Sequence, residues 1–213
     1  CRIGEIVQIA NAYNIPVIED SAESLGSFVG EKHTGTFGLM GVFSYNGNKT
    51  ITTGGGGMIV TDNEEIAKRA KHITTTAKIP HPYEFDHDEI AYNYRLTNLA
   101  AALGVAQMET IVAILENKRL TSNVYKTFFA NSEIQFMDEP KGTKSNFWLN
   151  SICFQETNQR DEFLKFSNEN GVMSRPIWKL MSKLEMFKDC QKGDLSNSEW
   201  LESRVVNIPS SVI

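Results

Sequence analysis

The chain has 213 residues, 41% hydrophobic and 22% charged, an ordinary globular balance with room for one large domain or two small ones. A net charge of −5 and a pI near 5.5 speak against a nucleic-acid surface, and no run approaches the roughly 18 apolar residues that span a bilayer. The three cysteines, Cys1, Cys153 and Cys190, are odd in number, far apart and without a CxxC pair. They imply neither a zinc site nor a disulfide framework, and a reducing cytoplasm suits them.

The first residues, RIGEIVQIANAYN, already read as helix, with Ile3, Ile6, Val7 and Ala10 at helical spacing. A buried strand is expected over 15–19, IPVIE. No signal peptide opens the chain, and a domain rarely starts in mid-helix, so the sequence reads as a piece of something longer. DSAESLGSFVGEKHTGTFG is rich in Gly, Ser and Thr and is expected to be loop with one turn of helix. GVFSYN (41–46) and GMIVTDN (57–63) read as strands. Asp62 is expected to cap a helix running through EEIAKRAKHI, with Glu64 and Glu65 where the helix dipole favours acids. Residues 75–93 hold prolines and little periodicity, so they read as an irregular loop. A long helical pattern follows from Thr97 to about Ala130, with a domain hinge inside or just after it. The remainder alternates FWLNSICF (strand), RDEFLKFSNEN (helix closed by Gly171) and VMSRPIW (strand), a smaller α/β unit.

One stretch, SYNGNKTITTGGGGMIV, carries chemistry. Lys49 stands between a polar turn and four glycines, with a strand behind them. The stretch is not a phosphate loop of the Walker type, because Asn48 separates Gly47 from Lys49 where GK[ST] is required. The glycines could serve as a plain turn, and an isolated lysine is usually a solvated one. Upstream, however, VIEDSAES puts Asp20 directly after a buried strand, at the carboxyl end where α/β sheets build their sites. A lysine and an aspartate so placed are what pyridoxal phosphate requires. The amine holds the aldehyde, and the carboxylate keeps the pyridine nitrogen protonated, which makes the ring an electron sink.

Three segments, VIEDSAESLGS, GTFGLMGVFSYNGNKTITTGGGGMIVTDNEE and AYNYRLTNLAAALGVAQ, resemble the DegT/DnrJ/EryC1/StrS family of sugar aminotransferases, in order and with the family's spacing over roughly residues 5 to 125. RPIWKLMSKLEMF and NIPSS, shorter motifs, are similar to the LegC-type subset that aminates the 4-keto group of nucleotide-linked 6-deoxy sugars. The resemblance implies the α/β fold of the PLP-dependent, aspartate aminotransferase-like transferases. It divides the chain into 1–120, the C-terminal part of the large cofactor-binding domain, and 121–213, a small C-terminal α/β domain.

By the same resemblance Lys49 is the cofactor-holding lysine and the general acid and base, and Asp20 is the partner of the pyridine nitrogen. Ser44 is a phosphate-contacting hydroxyl. Asn93 and Arg95, in AYNYR, sit on a loop that reaches the phosphate across a dimer interface; a surface arginine is the plain alternative. Glu23 departs from the family, which often carries Gln or His there near the cofactor's phenolic oxygen. An ionised glutamate would repel that oxygen, so Glu23 is expected to be protonated, turned away or contacting substrate. Arg175 and Trp178 are candidates for the sugar-nucleotide pocket, or else a strand end packed on the core. The four glycines would let the backbone pass close to a flat cofactor. His81, Asp86, His87 and Asp88 are ligand types in a loop without helical spacing, so no metal is expected. Leu99, Leu103, Ala106, Ile111 and Leu115 form a stripe suited to core or dimer packing.

The implied activity is amino transfer from glutamate to a nucleotide-linked 4-keto-6-deoxy sugar, for surface polysaccharide or nonulosonic acid synthesis in the cytoplasm, by a homodimer that binds neither nucleic acid nor membrane. The family's phosphate-cradling helix N-terminus and ring-stacking aromatic belong to an N-terminal half, so these residues alone are not expected to form a competent enzyme. Sugar dehydratases that use the same cofactor replace the lysine with histidine, whereas Lys49 is present. The remaining alternative is a non-catalytic regulatory or binding protein that keeps the fold.

Overall fold

The computed structural model describes residues 1–212. In chain order its elements are α1 (Ile3–Ala12), β1 (Ile18–Asp20), β2 (Phe28–Val29), β3 (Lys32–His33), β4 (Met40–Ser44), β5 (Gly57–Val60) and α2 (Glu64–Thr74). There follow α3 (Asn98–Phe129), β6 (Gln135–Phe136), β7 (Thr143–Lys144), β8 (Asn150–Cys153) and α4 (Thr157–Glu169). The chain finishes with β9 (Arg175–Pro176), two 3-10 turns (Met181–Lys183 and Glu185–Phe187), α5 (Ser196–Glu202) and β10 (Val205–Ile208). Two compact units result: 1–114 with 141–146, and 115–140 with 147–213.

In the first unit β1 pairs parallel to β4, and β4 pairs antiparallel to β5. The first strand is shorter than the expected 15–19 and ends one residue later: Tyr13 closes α1, Asn14 takes a left-handed φ of 55°, and ladder pairing begins only at Ile18. The expected helical turn between 20 and 38 is absent. Its place is taken by the β2–β3 hairpin, extended by β7. Asn63, not Asp62, caps α2, its side chain accepting from the Ile66 N–H at 3.0 Å. Phe43, Tyr45 and Ile51 form this unit's core, packed against Leu25, Val60, Ile111 and Ile114. β4 approaches the chain before it so closely that a Cβ on Gly41 would lie 2.0 Å from the Gly35 carbonyl oxygen.

By length and composition α3 is apolar enough to cross a membrane, with a mean hydropathy of 1.6 in its most apolar stretch. The apolar residues of that stretch raise the average, while Gln107 and Glu109 interrupt it, so it holds no unbroken apolar run, and length and composition are weak evidence of a span. The expected stripe is split: Ile111 packs on the core, while Leu99 is 87% and Leu103 45% exposed.

The second unit is a sheet in the order β6-β8-β10-β9, antiparallel throughout. Ile152, Phe154, Val206 and Ile208 make its core, covered by Tyr125, Phe129, Phe163 and Leu164. The strand expected over 172–178 shrinks to two residues, and β10 takes the centre of the sheet instead.

Candidate active site

The parallel β1–β4 pair sets the geometry. Asp20 is register partner to Val42, and Val42 to Ile59, so the three side chains cross the sheet in one row on one face. Ser44 lies two residues past Val42 on that same face, at the carboxyl end of β4, which is about 6.6 Å along the strand. Asp20 accepts from the Ala22 N–H at 3.1 Å, which closes the turn after the strand. Among the described residues its second oxygen, Oδ2, accepts nothing. Ser44 Oγ accepts from the Asn46 N–H at 3.3 Å, which leaves the hydroxyl hydrogen available to a ligand.

Lys49 follows in the next turn, where its N–H reaches the Asn46 carbonyl at 3.0 Å. Its side chain is only 13% exposed, and Nζ donates to Glu23 Oε1 at 3.0 Å. Glu23 is 52% exposed along its side chain, and it faces the amine. The structure thus brings together two residues that the sequence placed in one site without predicting their contact.

The four glycines complete the turn into β5. Gly56 has φ +94°, a conformation that disfavours a side chain, and a Cβ on Gly57 would meet the Phe43 carbonyl oxygen at 2.5 Å. The role visible here is a tight return of β5 onto β4. Beneath it the Tyr45 phenol is pushed above its ordinary value by burial, so it remains neutral.

Asn93 forms an isolated bridge with Thr75, and the backbone on either side is tied to the end of α2: Tyr92 N–H donates to Ile73 O and Tyr94 N–H to Thr74 O. Arg95 lines an open cleft of about 730 Å³ with Val42, Ile59, Lys71, Thr74 and Leu96. That cleft opens on the sheet face that carries Asp20. Arg95 makes no ion pair among the described residues.

Arg175 and Trp178 belong to the second unit. The Arg175 guanidinium donates to the Met173 sulfur at 3.6 Å. Trp178 is 64% exposed rather than packed in a core, and its ring stacks on Trp148 with centroids 6.0 Å apart.

Two residues of this region had no signal in the motifs. Glu19 points to the sheet face opposite Asp20 and is buried. Its carboxylate accepts from the N–H groups of Gly35 (2.8 Å), Phe37 (2.5 Å) and Gly38 (2.7 Å). Asn146 is buried between the loops that carry Glu23 and Thr50. A buried acid just before the expected catalytic one is the only hint the sequence offers for Glu19.

The solved structure of PseC from Helicobacter pylori, an aminotransferase involved in the biosynthesis of pseudoaminic acid, superposes with a TM-score of 0.93 at 20% identity, covering 100% of this chain and 58% of that one. The DegT/DnrJ/EryC1/StrS aminotransferase family model matches residues 1–212, and the chain belongs to that family. Among curated proteins, the putative pyridoxal phosphate-dependent aminotransferase EpsN of Bacillus subtilis is 37% identical over 87% of this chain and 48% of its own length. The GDP-perosamine synthase of Escherichia coli O157:H7 is 36% identical over 99% of this chain and 57% of its own. The chain therefore spans about half the length of these relatives.

Proposed function

We propose that the protein carrying this chain is a pyridoxal-phosphate aminotransferase that moves an amino group from glutamate to the 4-keto group of a nucleotide-linked 6-deoxy sugar. The observation that carries the reading is the shielded Lys49 amine on the loop after β4, the strand beside which Asp20 stands. The residues present fit the cofactor: an amine, a carboxylate with an unfilled oxygen and a hydroxyl with a free hydrogen share one sheet edge. When bound, pyridoxal phosphate supplies an aldehyde that captures amines and a ring that accepts an electron pair.

Each residue then has a task of its own. Lys49 would hold the cofactor through its amine and would carry a proton to and from the sugar carbon that changes from ketone to amine. Asp20 Oδ2 accepts from the protonated ring nitrogen and holds the proton there. Ser44 Oγ donates to phosphate, and Asn93 and Arg95 reach the phosphate of a second copy through charge-assisted bonds, which makes the working form a homodimer. Arg175 and Trp178 bind the nucleotide-linked sugar. In this reading residues 1–120 are the C-terminal part of the cofactor-binding domain, and 121–213 are the small domain. The compartment is the cytoplasm, and the product feeds surface polysaccharide or nonulosonic acid synthesis.

The test supplies the protein with pyridoxal phosphate, a nucleotide-linked 4-keto-6-deoxy sugar and glutamate labelled with ¹⁵N in its amine, and follows the label into the sugar by mass spectrometry. Transfer that falls by about 10³ or more in folded Lys49→Ala supports the reading. Absence of transfer in the wild type, or transfer undiminished by the substitution, removes it; the latter result favours a binding protein that kept the fold.

A further inference from the structure

Asn146 lies outside every motif discussed above, yet its side chain is only 5% exposed and reaches the centre of the site's support. Its Nδ2 donates to the Glu23 carbonyl at 2.8 Å and the Leu25 carbonyl at 3.0 Å, and lies 3.2 Å from Thr50 Oγ1. Its backbone N–H donates to Ser27 Oγ at 3.0 Å. Two carbonyls facing one amide fix its orientation, because the oxygen of a flipped amide would meet both of them acceptor to acceptor. The side chain therefore joins the loop 23–27 to Thr50, the neighbour of Lys49, through contacts spanning 96 to 123 residues of sequence.

We propose that Asn146 is the positioning residue of the Lys49–Glu23 pair, holding the two loops at the separation that lets the amine reach the carboxylate. Asparagine is the residue the place requires. Aspartate would set an acceptor against two carbonyls, and an aliphatic side chain would withdraw the donor from both. The functional weight of this role rests on the reading of Lys49 as the cofactor lysine, whereas the geometry does not.

The experiment measures the rate at which trace acetic anhydride acetylates Lys49 in the cofactor-free, full-length protein, by peptide mass spectrometry, with folding checked by circular dichroism. An amine held against a carboxylate is a poorer nucleophile than one released from it. Glu23→Gln is expected to raise the Lys49 rate about two- to fivefold, the scale of a partly exposed ion pair. Asn146→Ala is expected to raise it by a similar factor, and the double variant by no more than the larger single effect. Thr50→Val, which keeps shape and removes one acceptor, moves the rate in the same direction by less. A folded Asn146→Ala protein with an unchanged Lys49 rate overturns the proposal, and so does an undiminished Asn146→Ala effect in the Glu23→Gln background. If Asn146→Ala does not fold, Thr50→Val alone and with Glu23→Gln decides on the same criteria. These rates are independent of amino transfer, so failure of the aminotransferase reading leaves them standing, and their failure leaves that reading standing.

Discussion

Lys49 Nζ stands 3.0 Å from Oε1 of Glu23, so the acid expected to depart from the family pattern is the partner of the proposed cofactor lysine. Glu23 was expected to be protonated, turned away or on substrate. In the structure its carboxylate accepts from the Lys49 amine. Because Nζ donates to that carboxylate, the amine must leave it before it can attack an aldehyde.

Replacing Glu23 by Gln keeps an acceptor near Nζ and removes the charge. The Glu23 side chain is 52% exposed, so the pair contributes at most about 1 kcal/mol and folding should be nearly unaffected. Capture of pyridoxal phosphate, followed by absorbance, should instead become a few-fold faster. A slower capture in a folded Glu23→Gln protein would mean that the carboxylate assists the amine rather than restraining it.

Glu19 is expected to matter more for stability than for chemistry. Three backbone N–H groups converge on its buried carboxylate. Glu19→Gln turns an amide NH₂ toward N–H donors, leaving at least one of them unpaired. The expected loss is about 3 kcal/mol in urea unfolding. A loss under about 0.5 kcal/mol would show that the 35–38 loop is held by other contacts.

What the sequence could reveal tracks how local the determining interactions are. α2 and α3 were legible because their signals, the first-turn acids Glu64 and Glu65 of α2 and the long apolar spacing of α3, lie within the elements themselves. That Lys49, Asp20 and Ser44 would lie at one sheet edge was expected from the lysine's place after a strand, from the acid at the end of an earlier strand and, for Ser44, from the family resemblance. β10 was not, since Val205–Ile208 becomes a central strand only by pairing with β8 on one side and β9 on the other, both distant in sequence. Asn146 was invisible for the same reason: its acceptors are fixed by a fold that one asparagine in SNFW does not announce. The cap of α2 moved from Asp62 to Asn63 because both residue types cap equally well, and only the backbone decides.

Lys118 is 6% exposed in α3, and its Nζ donates to the carbonyls of Phe147 (3.4 Å), Trp148 (3.2 Å) and Ser210 (2.7 Å). Burial pushes its ammonium below the ordinary 10.5. Between the folded value and 10.5 the unfolded chain binds more protons than the folded one, so stability should rise with pH across that interval. Lys118→Met removes the donor at similar volume, should cost about 1–3 kcal/mol near neutrality, and should flatten the alkaline rise. Thermal unfolding at stepped pH from 8 upward checks both. An equally steep rise in the variant would assign it to another group.

The loop that carries Asn93 and Arg95 should loosen in acid before the rest of its unit. Arg69 grips Glu89 through both nitrogens, with Nη2 at 2.6 Å from Oε2, and His72 Nε2 lies 2.7 Å from Asp88 Oδ1. The His72 contact holds the Asp88 carboxyl below its ordinary range, and the Arg69 contact does the same for Glu89. For carboxylates so depressed, the stabilisation is complete above the ordinary carboxylate value and disappears as pH falls through the folded value. Hydrogen exchange should therefore speed up in residues 76–92 as pH drops below about 4, relative to α2 and after correction for intrinsic rates. Glu89→Gln should bring that loosening to neutral pH. Because these side chains are exposed, the variant should leave global unfolding almost unchanged. Uniform exchange across α2 and the loop at every pH would show that the Tyr92 and Tyr94 backbone bonds alone hold the segment.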